Sequence, residues 1–279
     1  MKISPQTLQQ RKNHHHPVVM VTCYDYPHAR LLERAGAEVL LVGDSVGTNV
    51  LGYSDVRQVT LADMAHHTGA VARGAQRSFV LTDLPYNSCT TPERAVASAR
   101  MLQEAGADGV KLEGEHGVEQ QLAALVSEGI PVCGHIGYTP QTMAIPAVQG
   151  KDFERGCSLL RAAGRLSAQG IFMLVLELIP QQLAALITRN CPVPTIGIGA
   201  GGHCDGQVQV LHDIVGLSEK IYRHAQAYAA VGNAIEQAAG QYARQVVSRE
   251  FPTANNSASI DKDLIQRLER WLTQPETES

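Results

Sequence analysis

Five short apolar segments of this chain each lead into a polar residue that can bind a metal ion or transfer a proton. Four segments lead into a carboxylate and the fifth into a histidine: Asp44, Asp83, Glu113, Glu177 and His135. This pattern is typical of buried parallel strands that emerge into functional loops at one edge of a sheet. It restricts the chain to an α/β fold in which the polar strand ends lie together.

Predicted strands alternate with predicted helices along most of the chain, at spacings of about 30 residues or fewer, which indicates a parallel sheet. Eight such strands can close into a (β/α)₈ TIM barrel, and a doubly wound open sheet is the competing arrangement. A barrel takes its functional groups from many strand ends at one rim, whereas an open sheet concentrates them at one switch point. Five different strands supply candidates here, which favours the barrel. The predicted strands are 18–23, 38–42, 78–81, 108–113, 130–135, 171–177, 193–198 and 208–214.

The predicted organisation has three parts: a solvated lead-in at 1–17 that contains His14-His15-His16, a barrel catalytic domain with its terminal helices at 18–252, and a tail at 253–279. Further predicted helices, at 219–230 and 232–248, form a C-terminal helical extension of the barrel. The tail contains an amphipathic pattern at 260–272, which predicts one more helix.

Composition narrows the class of protein. Hydrophobic residues make up 44% of the 279 residues and aromatic residues only 5%, which suits an aliphatic barrel core. The net charge of −4 provides no basic field for nucleic acid or an anionic membrane, and the apolar runs are too short to span a bilayer. The six cysteines form no C-x-x-C pair and the first residues lack the apolar core of a signal peptide, so we expect reduced thiols and a cytoplasmic location.

Three of the strand-end carboxylates suggest a metal site. Asp44, Asp83 and Glu113 occupy equivalent positions, and like charges packed together need a compensating cation. A set of ligands made of oxygen alone points to Mg²⁺ or a similar hard ion. The alternative is that these carboxylates are ordinary helix caps and surface groups.

The other strand-end residues suggest roles in binding and proton transfer. Lys111 lies two residues before Glu113 on the same strand face, where it can pair with an anionic substrate and stabilise a developing oxyanion, or form a structural ion pair. Glu177 is the candidate general base, with a helix-capping role as the alternative. His135 can orient substrate or be a core histidine, and Ser45 can bind a substrate carboxylate or stabilise a turn.

Several motifs occur in the order and spacing found in ketopantoate hydroxymethyltransferases, which the chain resembles over residues 18–250. The resemblance implies a barrel of the phosphoenolpyruvate mutase-like group. It implies transfer of a hydroxymethyl group from 5,10-methylenetetrahydrofolate to 3-methyl-2-oxobutanoate, giving 2-dehydropantoate for pantothenate and coenzyme A biosynthesis. The motifs are Gly43-Asp44-Ser45-Val46-Gly47, Asp83-Leu84-Pro85, Val110-Lys111-Leu112-Glu113-Gly114, Gly134-His135-Ile136-Gly137-Tyr138-Thr139-Pro140-Gln141, Leu176-Glu177 and Gly197-Ile198-Gly199-Ala200-Gly201.

The same resemblance implies roles by position. The three carboxylates would bind Mg²⁺, Glu177 would be the base, and Lys111 with His135 would steady charge on the substrate oxygens. It also implies a high homo-oligomer, typically a homodecamer. The residues implied to bind the oxo acid are Asp44, Ser45, Asp83 and Lys111.

The chain departs from the family pattern after the fifth strand. The segment 142–151 is shorter than the family loop and lacks its glycine pair and aromatic residue, and Lys151 replaces an arginine. Arg161-Ala162-Ala163 stands where an aspartate is more usual. Two alternatives therefore stay open: another Mg²⁺-dependent 2-oxo acid lyase or mutase on the same barrel, and a non-catalytic paralogue that binds an oxo acid.

Overall fold

A computed structural model describes residues 2–218 and 222–273, and it confirms the (β/α)₈ barrel. All eight strands are parallel, and each pairs with its neighbour until the last strand pairs with the first. The competing open sheet is therefore wrong. The strands are β1 Val18–Thr22, β2 Val39–Val42, β3 Phe79–Asp83, β4 Gly109–Glu113, β5 Val132–Gly137, β6 Met173–Glu177, β7 Thr195–Ile198 and β8 Gly206–Gln209.

Helices precede, connect and follow the strands, and several begin at caps that the sequence signals. Thr60 accepts a hydrogen bond from the backbone N–H of Asp63, and the Asp63 carboxylate accepts one from the Thr60 N–H at 2.9 Å, which satisfies two free donors at the helix start. The helices are α1 Pro5–Asn13, α2 Tyr26–Arg34, α3 Val46–Asn49, α4 Leu61–Gly74, α5 Pro92–Glu104, α6 Glu119–Ser127, α7 Phe153–Ala168, α8 Gln181–Asn190, α9 Leu211–Val215, α10 Val231–Ser248 and α11 Lys262–Leu272.

The barrel interior is apolar at one end and charged at the other. Because side chains alternate along a strand, β3 directs Phe79, Leu81 and Asp83 inward in turn. The first two are buried in the apolar part and the third lies at the C-terminal rim. The apolar interior cluster consists of Leu8, Val18, Met20, Val39, Leu41, Phe79, Leu81, Cys133, Met173, Val175, Ile196 and Val208.

The lead-in contains a helix, α1, whose side chains are half-buried or exposed except for Leu8. Leu8 on α1 is fully buried in the barrel's interior cluster, and the Lys12 ammonium lies 2.8 Å from the Asp205 carboxylate. Helix α1 therefore closes the N-terminal end of the barrel. The sequence does not predict this role, because Leu8 is the one side chain of α1 that is buried in the barrel and a single residue forms no periodic pattern.

Two predicted elements near the end of the barrel need correction. The eighth strand spans Gly206–Gln209 and is followed by α9, because the apolar run at 208–214 covers both a strand end and a short helix. The helix predicted at 219–230 is absent from residues 222–230, and positions 219–221 lie outside the described residues. Helix α7 begins at Phe153, where the Asp152 carboxylate accepts a hydrogen bond from the Arg155 N–H and caps it.

Two compact units make up the chain, Met1–Ala229 and Ala230–Ser279. The second unit holds α10 and α11, and these confirm the helices predicted at 232–248 and 260–272. The division at 1–17, 18–252 and 253–279 stays a prediction. Within the described ranges, no helix combines the length and the apolar content needed to cross a membrane.

Candidate active site

A cavity of about 130 Å³ opens at the C-terminal ends of the barrel strands. It brings together all seven residues that the sequence predicts for the site. Its other walls are mainly apolar and include Val175, Ile198 and Val210. The seven residues are Asp44, Ser45, Asp83, Lys111, Glu113, His135 and Glu177.

Strand register explains why the charged side chains meet. Asp83 on β3 lies beside Lys111 on β4, and Glu113 on β4 lies beside His135 on β5. Lys111 and Glu113 are two residues apart, so both side chains point into the barrel. Residues distant in sequence therefore become neighbours on adjacent strands at the same height.

A buried ion pair occupies the centre of the site. The Lys111 ammonium lies 2.9 Å from Asp83 Oδ1, and the two residues are 6% and 2% exposed. Burial alone would lower the pKa of Lys111, but the negative charges of Asp83, Asp44 and Glu113 outweigh that effect and raise it. The lysine therefore carries a permanent positive charge among carboxylates.

Asp44 extends this cluster from the turn after β2. Its backbone N–H donates a hydrogen bond to Asp83 Oδ2 at 3.1 Å, and its own Oδ2 accepts one from Gln141 Nε2 at 2.9 Å. Burial, followed by the charge of Asp83, raises the pKa of Asp44 to about 7. The positive charge of Lys111 lowers the pKa of Asp44 but does not outweigh these two effects.

A second chain of polar contacts runs through His135. Its Nδ1 lies 3.2 Å from Glu113 Oε2, and its Nε2 lies 3.2 Å from Glu177 Oε2. Burial and then Lys111 lower the pKa of His135, but the contacts with the two glutamates prevail and raise it to about 9. The imidazolium in turn helps to hold the pKa of Glu113 below its ordinary value, although burial opposes this. Glu177, with 19% of its side chain exposed, is the member of the chain that faces the opening.

Ser45 lies between Asp44 and the start of α3, and its hydroxyl lies 2.9 Å from the Tyr24 hydroxyl. Tyr24 is buried, and burial raises the pKa of its phenol, so it remains protonated. Tyr24 therefore holds the Ser45 side chain at the edge of the cavity.

The three carboxylates do not form a closed metal site. Asp44 and Asp83 adjoin each other, whereas Glu113 accepts hydrogen bonds from His135 and from the Gln141 N–H at 2.7 Å. Over residues 2–218 and 222–273, no group of three His, Cys, Asp or Glu side chains has the geometry of a metal site.

The residues present nevertheless fit one hard cation. Mg²⁺ is usually bound by one or two carboxylates, and waters and substrate complete its shell. Asp44 and Asp83 provide two carboxylates in adjoining positions, and burial followed by the charge of Asp83 raises the pKa of Asp44. Asp83 Oδ1 is buried and has no aligned hydrogen bond beyond its ion pair. These observations match a site that a divalent cation would stabilise.

Sequence reasoning missed two sets of residues around the site. Gln141 stands at the end of the Thr139-Pro140-Gln141 motif, and this position was the signal that could have identified it. Glu115 follows β4 and is buried in a bidentate ion pair with Arg155 of α7, while its Oε1 accepts the Gly137 N–H at 3.2 Å. That pair anchors the loop between β5 and α7, and no local pattern linked its two members.

Comparison with known proteins gives a consistent result. A family model described as ketopantoate hydroxymethyltransferase matches residues 2–254. A protein of Chloroflexus aurantiacus named 3-methyl-2-oxobutanoate hydroxymethyltransferase is 47% identical over 265 residues, which cover 94% of each chain. A protein of the same name from a Roseiflexus species is 46% identical over 268 residues, covering 94% of this chain and 96% of that protein.

Similar solved structures share the fold at low sequence identity. Phosphonopyruvate hydrolase, solved with oxalate and Mg²⁺, has a TM-score of 0.61 at 10% identity and covers 96% of both chains. Phosphoenolpyruvate phosphomutase from Streptomyces platensis subsp. rosaceus has a TM-score of 0.60 at 13% identity and covers 97% of both chains. These likenesses support the barrel architecture alone.

Proposed function

The chain belongs to the ketopantoate hydroxymethyltransferase family, and from this premise we propose that it transfers a hydroxymethyl group to 3-methyl-2-oxobutanoate. The donor in this proposal is 5,10-methylenetetrahydrofolate and the product is 2-dehydropantoate, an intermediate of pantothenate biosynthesis. The observation that carries the proposal is the cavity in which Lys111, two adjacent aspartates and the more exposed Glu177 face the same space.

The cavity suits a small branched oxo acid. The anionic carboxylate and the ketone oxygen would lie toward Lys111 and the Ser45 hydroxyl, because these groups provide positive charge and a hydrogen-bond donor. The branched carbon chain would lie against the apolar walls that include Val175 and Ile198. The volume of the cavity, about 130 Å³, supports a molecule of this size, whose reacting carbon would lie toward Glu177.

Proton abstraction is the first chemical step that we propose. Glu177 would take the single proton on C3 of the oxo acid, and the electron pair would move to the ketone oxygen to give an enolate. Lys111 would stabilise this oxyanion, and His135 would support it through its contacts with Glu113 and Glu177. Water adds to the methylene carbon of the folate, both bonds from that carbon to the folate nitrogens break, and the two nitrogens take the two protons of the water, which leaves formaldehyde. The enolate carbon then forms a bond to the formaldehyde carbon, and the resulting alkoxide takes back the proton held by Glu177, which gives the hydroxymethyl group.

A divalent cation belongs to this proposal. Asp44 and Asp83 would bind it directly. Glu113 would lie in an outer position, which means close to the cation but without direct contact with it. When bound, Mg²⁺ supplies positive charge and Lewis acidity to the oxygens of the oxo acid.

Two further predictions from the sequence belong to the proposal, namely a homodecamer and a cytoplasmic location. Light scattering on the purified chain tests the first, and a mass near that of a monomer would contradict it. No observation favours a lyase or mutase, because the structural neighbours of those names share the fold alone.

Product analysis tests the proposed function. Purified chain, Mg²⁺ and 5,10-methylenetetrahydrofolate are incubated with a panel of branched and unbranched 2-oxo acids, and products are identified by mass. We expect 3-methyl-2-oxobutanoate to gain one CH₂O group, and we expect Asp83→Asn to abolish this gain. Product from another oxo acid at a higher rate, or none from 3-methyl-2-oxobutanoate, would contradict the assignment.

A further inference from the structure

Gln141 lies in the loop after β5, yet it contacts the ends of three other strands. Its side-chain amide donates to Asp44 Oδ2 at 2.9 Å and to the Leu84 carbonyl at 3.0 Å. Its backbone N–H donates to Glu113 Oε1 at 2.7 Å. One residue therefore fixes groups at the C-terminal ends of β2, β3 and β4.

These contacts are well placed to control orientation. Gln141 is 8% exposed, and an amide nitrogen has two N–H donors, which are both accounted for by Asp44 and Leu84. The Leu84 carbonyl fixes the amide relative to the end of β3, where Asp83 lies. A hydrogen bond to one oxygen of Asp44 leaves the other oxygen free for a ligand.

We infer that Gln141 is the positioning residue of the cation site: its side-chain amide orients Asp44 relative to Asp83, and its backbone N–H holds Glu113 in the outer position. This inference rests on the cation of the proposed function and extends it to a residue that contacts no reacting atom. Residues that orient ligating carboxylates typically contribute a factor of about 10–100 to metal affinity or activity.

Mg²⁺ binding to the full-length chain tests this role without any substrate. Gln141→Met keeps the side-chain length and removes both donors, and Gln141→Ala removes the side chain. Isothermal titration calorimetry of EDTA-treated protein should show that each variant binds Mg²⁺ about 10–100-fold more weakly than the wild type. Gln149→Ala is the matched control, because Gln149 lies in the same loop and its side chain contacts Ala147 and Arg155 instead. Its Mg²⁺ affinity should not change.

A second readout separates positioning from general folding. The Gln141→Met variant should recover most of its lost turnover when Mg²⁺ is raised in proportion to the lost affinity, and a defect in folding would not recover in this way. If Gln141→Ala fails to fold, Gln141→Met decides the question.

Unchanged Mg²⁺ affinity in the Gln141→Met variant would overturn the inference while leaving the proposed reaction intact. Failure of the wild-type chain to bind Mg²⁺ in the millimolar range would overturn it as well. Weakened Mg²⁺ binding together with no hydroxymethyl transfer by the wild-type chain would uphold the role of Gln141 and reject the proposed reaction.

Discussion

Replacing Lys111 by Met should destabilise the folded protein and slow catalysis together. The substitution keeps the approximate volume of the side chain and removes the positive charge that lies 2.9 Å from Asp83 Oδ1. At that distance and an effective dielectric constant of about 20, the attraction is about 6 kcal/mol before desolvation is subtracted. Because the carboxylates remain buried, we expect the net loss in the free energy of unfolding to be about 3–5 kcal/mol.

The loss should depend on pH. The pKa of Asp44 in the folded protein is raised from 3.8 to about 7, so this carboxyl favours folding at low pH and loses that contribution as the pH rises toward 7. Without Lys111 the pKa of Asp44 rises further, so the variant continues to lose stability above pH 7. The difference in unfolding free energy between the two proteins should therefore grow from about pH 6 to about pH 8.

Denaturant unfolding of the two metal-free proteins at both pH values measures this difference. Lys151→Met is the matched control, because Lys151 is exposed in the loop before α7, and its unfolding free energy should change by less than about 0.5 kcal/mol. The Lys111→Met variant should also lose a factor of about 10²–10³ in kcat, the size expected for removing one oxyanion-stabilising group. If the Lys111→Met variant had the stability of the wild type at pH 8 and the same turnover, the proposed role of the Lys111 charge would be refuted.

Three further outcomes follow from other parts of the structure. Leu8→Ala should lower the unfolding free energy by about 2–5 kcal/mol, because it leaves a cavity at the closed end of the barrel. Denaturant unfolding measures this loss, and an unchanged midpoint would show that α1 does not pack there. Burial raises the pKa values of the Cys23 and Cys133 thiols to about 12 each, so peptide mapping should find both unlabelled after iodoacetamide treatment of the native protein at pH 8 and labelled after denaturation. Excess EDTA should abolish product formation and added Mg²⁺ should restore it, whereas full turnover in EDTA would rule out a cation on Asp44 and Asp83.

The barrel and the residues of its rim were predictable because both follow from periodic or repeated features. Each apolar run had the length of a buried strand, and each led into a polar residue at an equivalent position. Parallel strands then require that Asp83, Lys111 and Glu177 reach the same end of the molecule. The repeated pattern of an apolar run followed by a polar residue therefore predicted that these side chains lie close together.

Features that depend on one residue or on distant pairing were not predictable in this way. Leu8 is the one side chain of α1 buried in the barrel interior, and Glu115 meets Arg155 across 40 positions of the chain. Gln141 contacts Asp44 through its side-chain amide and Glu113 through its backbone N–H. Nothing in the sequence of the loop distinguishes these two groups until the neighbouring strands are in place. The contacts of Glu113 with His135 and with the Gln141 N–H belong to the same class, because its position on β4 does not reveal them.

Exchange of the C3 proton of 3-methyl-2-oxobutanoate in deuterated water tests the central claim most directly, because it measures proton abstraction without the folate. With Mg²⁺ present, the wild-type chain should exchange this proton for deuterium, as followed by proton NMR. Glu177→Gln should stop the exchange and retain Mg²⁺ binding, while Glu154→Gln, at an exposed glutamate of α7, should exchange normally. Undiminished exchange in the Glu177→Gln variant would contradict the assignment of the base.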